Sequence, residues 1–176
     1  IMFLNKIKIF LLISICPFFS HLTYNDAKSE EIKIISGTAK VIDGDTIRIG
    51  EKKIRLFGID APEKEQQCRK VWLTISFLSF NKNYPCGQLS TNKLKNKIDN
   101  KFLICEWINR DRYKRYIAEC FKDKRNINSW MVEYGYAVAY RKYSKKYVSK
   151  EIFAKKEKRG LWSGTFEMPW DYRKKN

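Results

Sequence analysis

Val41 to Glu63 reads V-I-D-G-D-T-I-R-I-G-E-K-K-I-R-L-F-G-I-D-A-P-E. Thr46-Ile47-Arg48-Ile49 alternates polar and apolar residues, the period of a half-buried strand. Gly50 to Lys53 serves as a turn, and Ile54 to Ile59 returns as the partner strand. Antiparallel pairing then brings Asp45, just before the first strand, to the same end as Asp60, just after the second. Glu63 follows a short Asp60-Ala61-Pro62 turn. Two carboxylates held close repel unless a cation lies between them. Carboxylates and backbone carbonyls are the oxygen ligands that Ca²⁺ takes, so Asp45, Asp60 and the carbonyl of Ala61 are candidate ligands. Glu63 is placed to orient or deprotonate a water. Arg55, on the same hairpin, has the planar fork that holds a phosphate at two points. The plainer alternative is a turn-rich hairpin whose Asp, Gly and Pro only shape loops.

A second stretch, Arg110-Asp111-Arg112-Tyr113-Lys114-Arg115, stands before the apolar run Tyr116 to Phe121. Together the two stretches resemble the staphylococcal nuclease (thermonuclease) family. Its D-G-D-T opening corresponds to Asp43-Gly44-Asp45-Thr46. Its R-L-x-x-x-D-[TA]-P-E run corresponds to Arg55-Leu56 through Asp60-Ala61-Pro62-Glu63. Its D-[RK]-Y-G-R run corresponds to Asp111 to Arg115. The closing helix with its Trp is similar to Ser149 to Trp162, so the resemblance spans Lys33 to Ser163.

The resemblance implies an α+β fold: a five-stranded OB-fold Greek-key barrel with about three packed helices. It implies Asp45 and Asp60 as Ca²⁺ carboxylates, Ala61 as a main-chain ligand and Glu63 beside the attacking water. It implies Arg55 and Arg115 on the scissile phosphate and Tyr113 on a substrate phosphate. One position departs from the pattern: the family's Gly is Lys114 here, which costs strain if that residue needs positive φ. The function implied is a Ca²⁺-dependent hydrolysis of DNA and RNA phosphodiesters with little sequence preference, leaving 3′-phosphate ends. A non-catalytic OB-fold nucleic-acid-binding module is the alternative. A cationic surface protein whose apolar insertion meets a partner or membrane is a third.

The remaining chain fits an exported, monomeric protein without stable membrane insertion. Ile9 to Phe19 is apolar, follows Lys6 and Lys8, and is too short to span a bilayer, which takes about twenty residues. Residues 1–27 therefore read as a signal peptide and 28–176 as one domain. Loss of two lysines and Asp26 changes the charge only from +17 to +16. Such a charge favours polyanions. The only histidine, His21, lies in that leader, which excludes histidine-metal, Ser-His-Asp and two-histidine mechanisms from the remainder.

Residues 64–86 form an insertion around the apolar run Val71 to Phe80, expected to pack against the body rather than act as a flap. Cys68 and Cys86 bracket it, while Cys105 and Cys120 lie on two strands that would be neighbours if they pair across the Arg110–Lys114 turn. Export favours disulfides among these four cysteines, and the sequence leaves three pairings open. A helix is expected over Gln88–Ile98, another capped by Asn128-Ser129 and stopped by Gly135, and a last one capped by Ser149 and ended by Gly160. Tyr140 and Tyr143, among Lys142, Lys145 and Lys146, are candidate stacking platforms for single-stranded or locally melted nucleic acid. The basic tail Tyr172 to Asn176 is expected to be loose.

Overall fold

The computed structural model describes residues 32–176; the proposed leader, with Cys16 and His21, lies outside them. Five strands form the barrel: β1 (Lys33–Val41), β2 (Thr46–Ile49), β3 (Lys52–Leu56), β7 (Phe102–Arg110) and β8 (Tyr116–Lys122). They run in the order β3-β2-β1-β7-β8, and a parallel pairing of β3 with β8 closes the ring. Closure removes open sheet edges. Alternate side chains point inward as the period-two pattern demands: Ile35 and Ala39, Ile47 and Ile49, Ile54 and Leu56, Leu103 and Cys105, Ala118 and Cys120 are all buried.

Four helices pack on or beside the barrel: α1 (Cys86–Ile98), α2 (Ile127–Glu133), α3 (Val148–Lys156) and α4 (Pro169–Lys175). The α+β barrel expectation holds, with one helix more than expected. That helix, α4, forms from the tail expected to be loose. Pro169 at its start, Asp171 in the first turn and Arg173, Lys174 and Lys175 in the last all suit a helix.

Other local expectations need correction. The return strand stops at Leu56 rather than Ile59. Gly58, at φ +72°, turns the chain away, and Ile59–Asp60 (β4) pairs instead with Val138–Ala139 (β9). Asn126, not Asn128-Ser129, caps α2, by accepting from the Ser129 N–H at 2.8 Å. Asn128 is buried and stitches the barrel: it accepts from Cys120 N–H and donates to the carbonyls of Phe57 and Ala118. Ser149 does not cap α3, which begins at Val148 without a side-chain cap. Gly160 does not end that helix but opens a 3-10 turn, Gly160–Ser163.

The insertion is a two-stranded hairpin, β5 (Cys68–Ile75) with β6 (Leu78–Tyr84). A bulge at Trp72 shifts the register, so Leu73, Ile75, Leu78 and Phe80 share one face while Thr74 and Ser79 lie on the other. This apolar run does not pack against the body as expected. Trp72 is 61% exposed and Phe77 at the tip 89%. Disulfides join Cys68 to Cys86 and Cys105 to Cys120, which selects one of the three pairings open to the sequence. Each closes a loop that the chain-entropy model values at about 3 kcal/mol.

Candidate active site

Asp45 precedes β2, Arg55 lies on β3 and Asp60 on β4. The β2–β3 pairing sets Thr46 opposite Arg55, so the guanidinium lies beside Asp45. Arg55 Nη1 donates to Asp45 Oδ1 at 3.0 Å and Nη2 to Asp60 Oδ1 at 2.6 Å. Both carboxylates are buried, Asp60 completely. Asp45 Oδ2 also accepts from the Ala61 N–H at 3.1 Å. Burial alone would lower the Arg55 pKa, but Asp45 and Asp60 outweigh it and hold it above the ordinary value. Burial raises Asp60, the hydrogen bond from Arg173 opposes that, the charge of Asp45 adds to it, and the net direction is upward.

Glu63 stands at the rim. Its N–H donates to Oε1 of the buried Gln66 at 3.2 Å. Helix α1 presses on the same loop through Gly87, where an added Cβ would sit 1.7 Å from the Glu63 carbonyl oxygen. Only glycine permits that approach. The Cys68–Cys86 disulfide holds the start of α1 in place there.

Asp43 joins this cluster. It accepts from the Asp45 N–H at 3.0 Å. Burial and the neighbouring Asp45 push its pKa up to about 6. Arg173 of α4 reaches further in. Its Nη2 donates to Asp60 Oδ2 at 2.7 Å, and its Nη1 donates to Asp60 Oδ1 at 3.1 Å and to Glu63 Oε1 at 2.6 Å. Asp43 was visible in the D-G-D-T run but read only as part of a motif. Arg173 is not legible in the sequence because nothing local ties it to Asp60, 113 positions away, and Gln66 because a polar residue in a charged loop gives no sign of its burial. The helix signals at Pro169 to Lys175 were the one available clue.

The other predicted residues make no hydrogen bond to Asp45, Asp60 or Glu63 among the described residues. Arg115 Nε donates to Asp111 Oδ2 at 2.7 Å, and its hydrogen bonds among the described residues stay within the 111–115 loop. Tyr113 is exposed, beneath the Arg112 and Arg115 guanidiniums at 4.8 and 5.3 Å from its ring centre. Lys114 has φ +62°, so the lysine replacing the family's glycine does occupy a left-handed position. Tyr140 donates its N–H to the Gly58 carbonyl, near Asp60. Its ring stacks on Trp170 at 5.4 Å and 5°, and meets Tyr143 edge-on at 4.9 Å.

The donor set suits a hard cation. Asp45 and Asp60 bring oxygen to one buried point, without sulfur or imidazole. No group of three Asp, Glu, His or Cys side chains at ligand spacing occurs among the described residues, so backbone or water oxygens would complete a shell.

Comparison with known proteins places the chain in a family. The family model described as "Staphylococcal nuclease homologue" matches residues 53–164. The succinoglycan biosynthesis protein ExoI of Rhizobium meliloti (strain 1021) is 35% identical over 131 residues, 73% of this chain and 64% of that protein. An uncharacterized endonuclease of Escherichia coli O157:H7 is 32% identical over 145 residues, 77% of this chain and 83% of that protein. An uncharacterized endonuclease of Haemophilus influenzae (strain ATCC 51907 / DSM 11121 / KW20 / Rd) is 34% identical over 131 residues, 70% of this chain and 64% of that protein. The chain thus spans just under two thirds of the length of two of these three relatives. The family-model match covers more than half of the chain, from β3 to beyond α3, and makes the chain a member of the staphylococcal nuclease homologue family.

Proposed function

We propose that this chain is a Ca²⁺-dependent nuclease that hydrolyses phosphodiester bonds of DNA and RNA with little sequence preference. Family membership and the endonuclease names of two relatives support hydrolytic nuclease chemistry. The observation that carries the finer reading is Arg55 bridging Asp45 and Asp60, with Glu63 at the rim of the same cleft.

Asp45, Asp60 and the Ala61 carbonyl would hold the ion, which supplies charge neutralisation at the scissile phosphate. Arg55, held by Asp45 and Asp60, would offer the second N–H of each terminal nitrogen to the non-bridging oxygens, where charge grows as water adds to phosphorus. Glu63 is half-exposed and free to accept the water's proton once Arg173 leaves it. Arg115 supplies a second guanidinium after exchanging Asp111 for phosphate. Attack in line with the 5′ oxygen leaves a 3′-phosphate. Tyr113 contacts a neighbouring phosphate, and Tyr140 and Tyr143 stack on bases of single-stranded or locally melted substrate. No base-reading element is evident among the described residues, so specificity is weak.

Export fits the two disulfides, and no helix among the described residues is long and apolar enough to cross a membrane. The protein acts as a monomer in this reading.

Supercoiled plasmid incubated with and without Ca²⁺ tests the proposal. Time-dependent loss of supercoils that needs Ca²⁺ and fails in Arg55→Gln supports it. Retention of intact plasmid that the protein nonetheless binds would favour the non-catalytic OB-fold module.

A further inference from the structure

The C-terminal segment fills two positions that a substrate complex needs. At Asp60, Oδ1 accepts from both Arg55 and Arg173, and Oδ2 accepts from Arg173. A carboxylate offers about four lone-pair directions, and three are taken here. Arg173 also holds Glu63. A Ca²⁺ ion bonded to Asp60 would sit about 2.3–2.6 Å from its oxygens. It would meet a guanidinium on those same oxygens, so the cation and Arg173 exclude one another. At Tyr140, the indole of Trp170 lies parallel to the ring. That is the face and geometry a nucleobase would use.

The two contacts belong to one short element. Trp170 and Arg173 are one turn apart on α4 and reach the base platform and the carboxylates together. The root of the segment is firmly placed: Pro169 is buried and Met168 packs against the cluster of Cys68, Cys86, Val138 and Leu161, with the partly buried Trp170 at its edge. Gln66, which accepts from Glu63, donates to the Glu167 carbonyl at 2.7 Å. The outer turn is different. Arg173, Lys174 and Lys175 are exposed, and the Lys174–Asp171 and Lys175–Glu167 pairs lie at the surface, where ion pairs contribute little. Trp170 and this turn can leave together without disturbing the barrel, because none of their side chains belongs to its core.

We propose that Trp170–Arg173 is a built-in pseudo-ligand of the active site. The indole takes the place of a base, the guanidinium takes the place of the cation, and uptake of Ca²⁺ expels both. The segment then couples ion binding to opening of the base platform. This inference rests on the Ca²⁺-nuclease reading above.

Calorimetric titration with Ca²⁺ alone, without nucleic acid, tests it. Arg173→Gln should bind Ca²⁺ roughly tenfold more tightly than the wild type, the scale of one charge-assisted contact no longer competing. Arg173→Lys, which keeps the charge and loses the fork, should fall between them. In the unaltered protein, Ca²⁺ should raise amide exchange across residues 170–176 and change tryptophan emission, and the emission change should vanish in Trp170→Phe. Wild-type Ca²⁺ binding with no tightening in Arg173→Gln, or with unchanged exchange at 170–176, overturns the pseudo-ligand and spares the nuclease reading. Absence of Ca²⁺ uptake by both proteins overturns the two together.

Discussion

The Arg55 guanidinium lies 2.6 Å from the Asp60 carboxylate and 3.0 Å from that of Asp45, making one cation the bridge between two buried anions. Removing the bridge leaves the anions facing each other in a poorly solvated place. Arg55→Gln should therefore lose stability, by about 3 kcal/mol, as for a broken buried pair. It should also lose turnover by about a hundredfold or more. Arg55→Lys restores a charge without the fork, so urea midpoints should recover while turnover stays low. Wild-type turnover in Arg55→Lys would remove bidentate phosphate contact from the mechanism.

Asp43 sets a pH dependence of opposite sign to an ordinary salt-bridged carboxylate. Its folded pKa is about 6, above the usual 3.8, so the native state holds its proton more tightly than the unfolded chain does. The associated stability is full below about pH 4 and is lost as pH rises through 6. In chelator, stability referred to Asp43→Asn should fall by about 2–3 kcal/mol across that window. Denaturant melts at pH 4, 5, 6 and 7 measure it. A flat difference between the two proteins would contradict the assignment.

Lys114 sits at φ +62° in the Asp111–Arg115 turn. A non-glycine residue there costs about 1 kcal/mol, partly offset by the entropy glycine adds to the unfolded chain. Lys114→Gly should raise stability by about 0.5 kcal/mol. Lys114→Val, a branched residue in the same conformation, should lower it. Thermal melts of the pair decide the sign.

Gly87 is the contact between α1 and the Glu63 loop. Alanine there would drive a methyl into the Glu63 carbonyl, and backbone cannot step aside cheaply. We expect Gly87→Ala to cost at least about 2 kcal/mol, in the range of overpacked sites. Turnover should fall further than folding alone accounts for, because Glu63 moves with the loop. Single-turnover rates below the melting onset separate the two effects.

The barrel was legible because its strands follow a two-residue period and its turns carry glycine or Asp at the right points. The carboxylate pair was legible for the same reason: strand register converts sequence distance into proximity. Cys105 and Cys120 pair directly opposite one another on β7 and β8, as two strands joined by the Arg110–Lys114 turn allow. Arg173 obeys no such rule. It reaches Asp60 across 113 positions through the path of the chain after Gly160, which no local pattern encodes. The Val71–Phe80 hairpin was misjudged because apolar composition argues for burial. The two-stranded ribbon is instead tied to the body at its base, through Cys68–Cys86 and the pairing of Arg69 with Thr165, and its apolar face stays exposed.

That base has a separate consequence. Cys68 and Cys86 hold the two ends of the insertion 5.6 Å apart at the Cα atoms, a spacing that a tight turn already spans. The barrel therefore meets this segment as a socket with a fixed mouth. Peptides of other lengths and compositions should be exchangeable there while the Asp45–Asp60 cluster keeps its geometry.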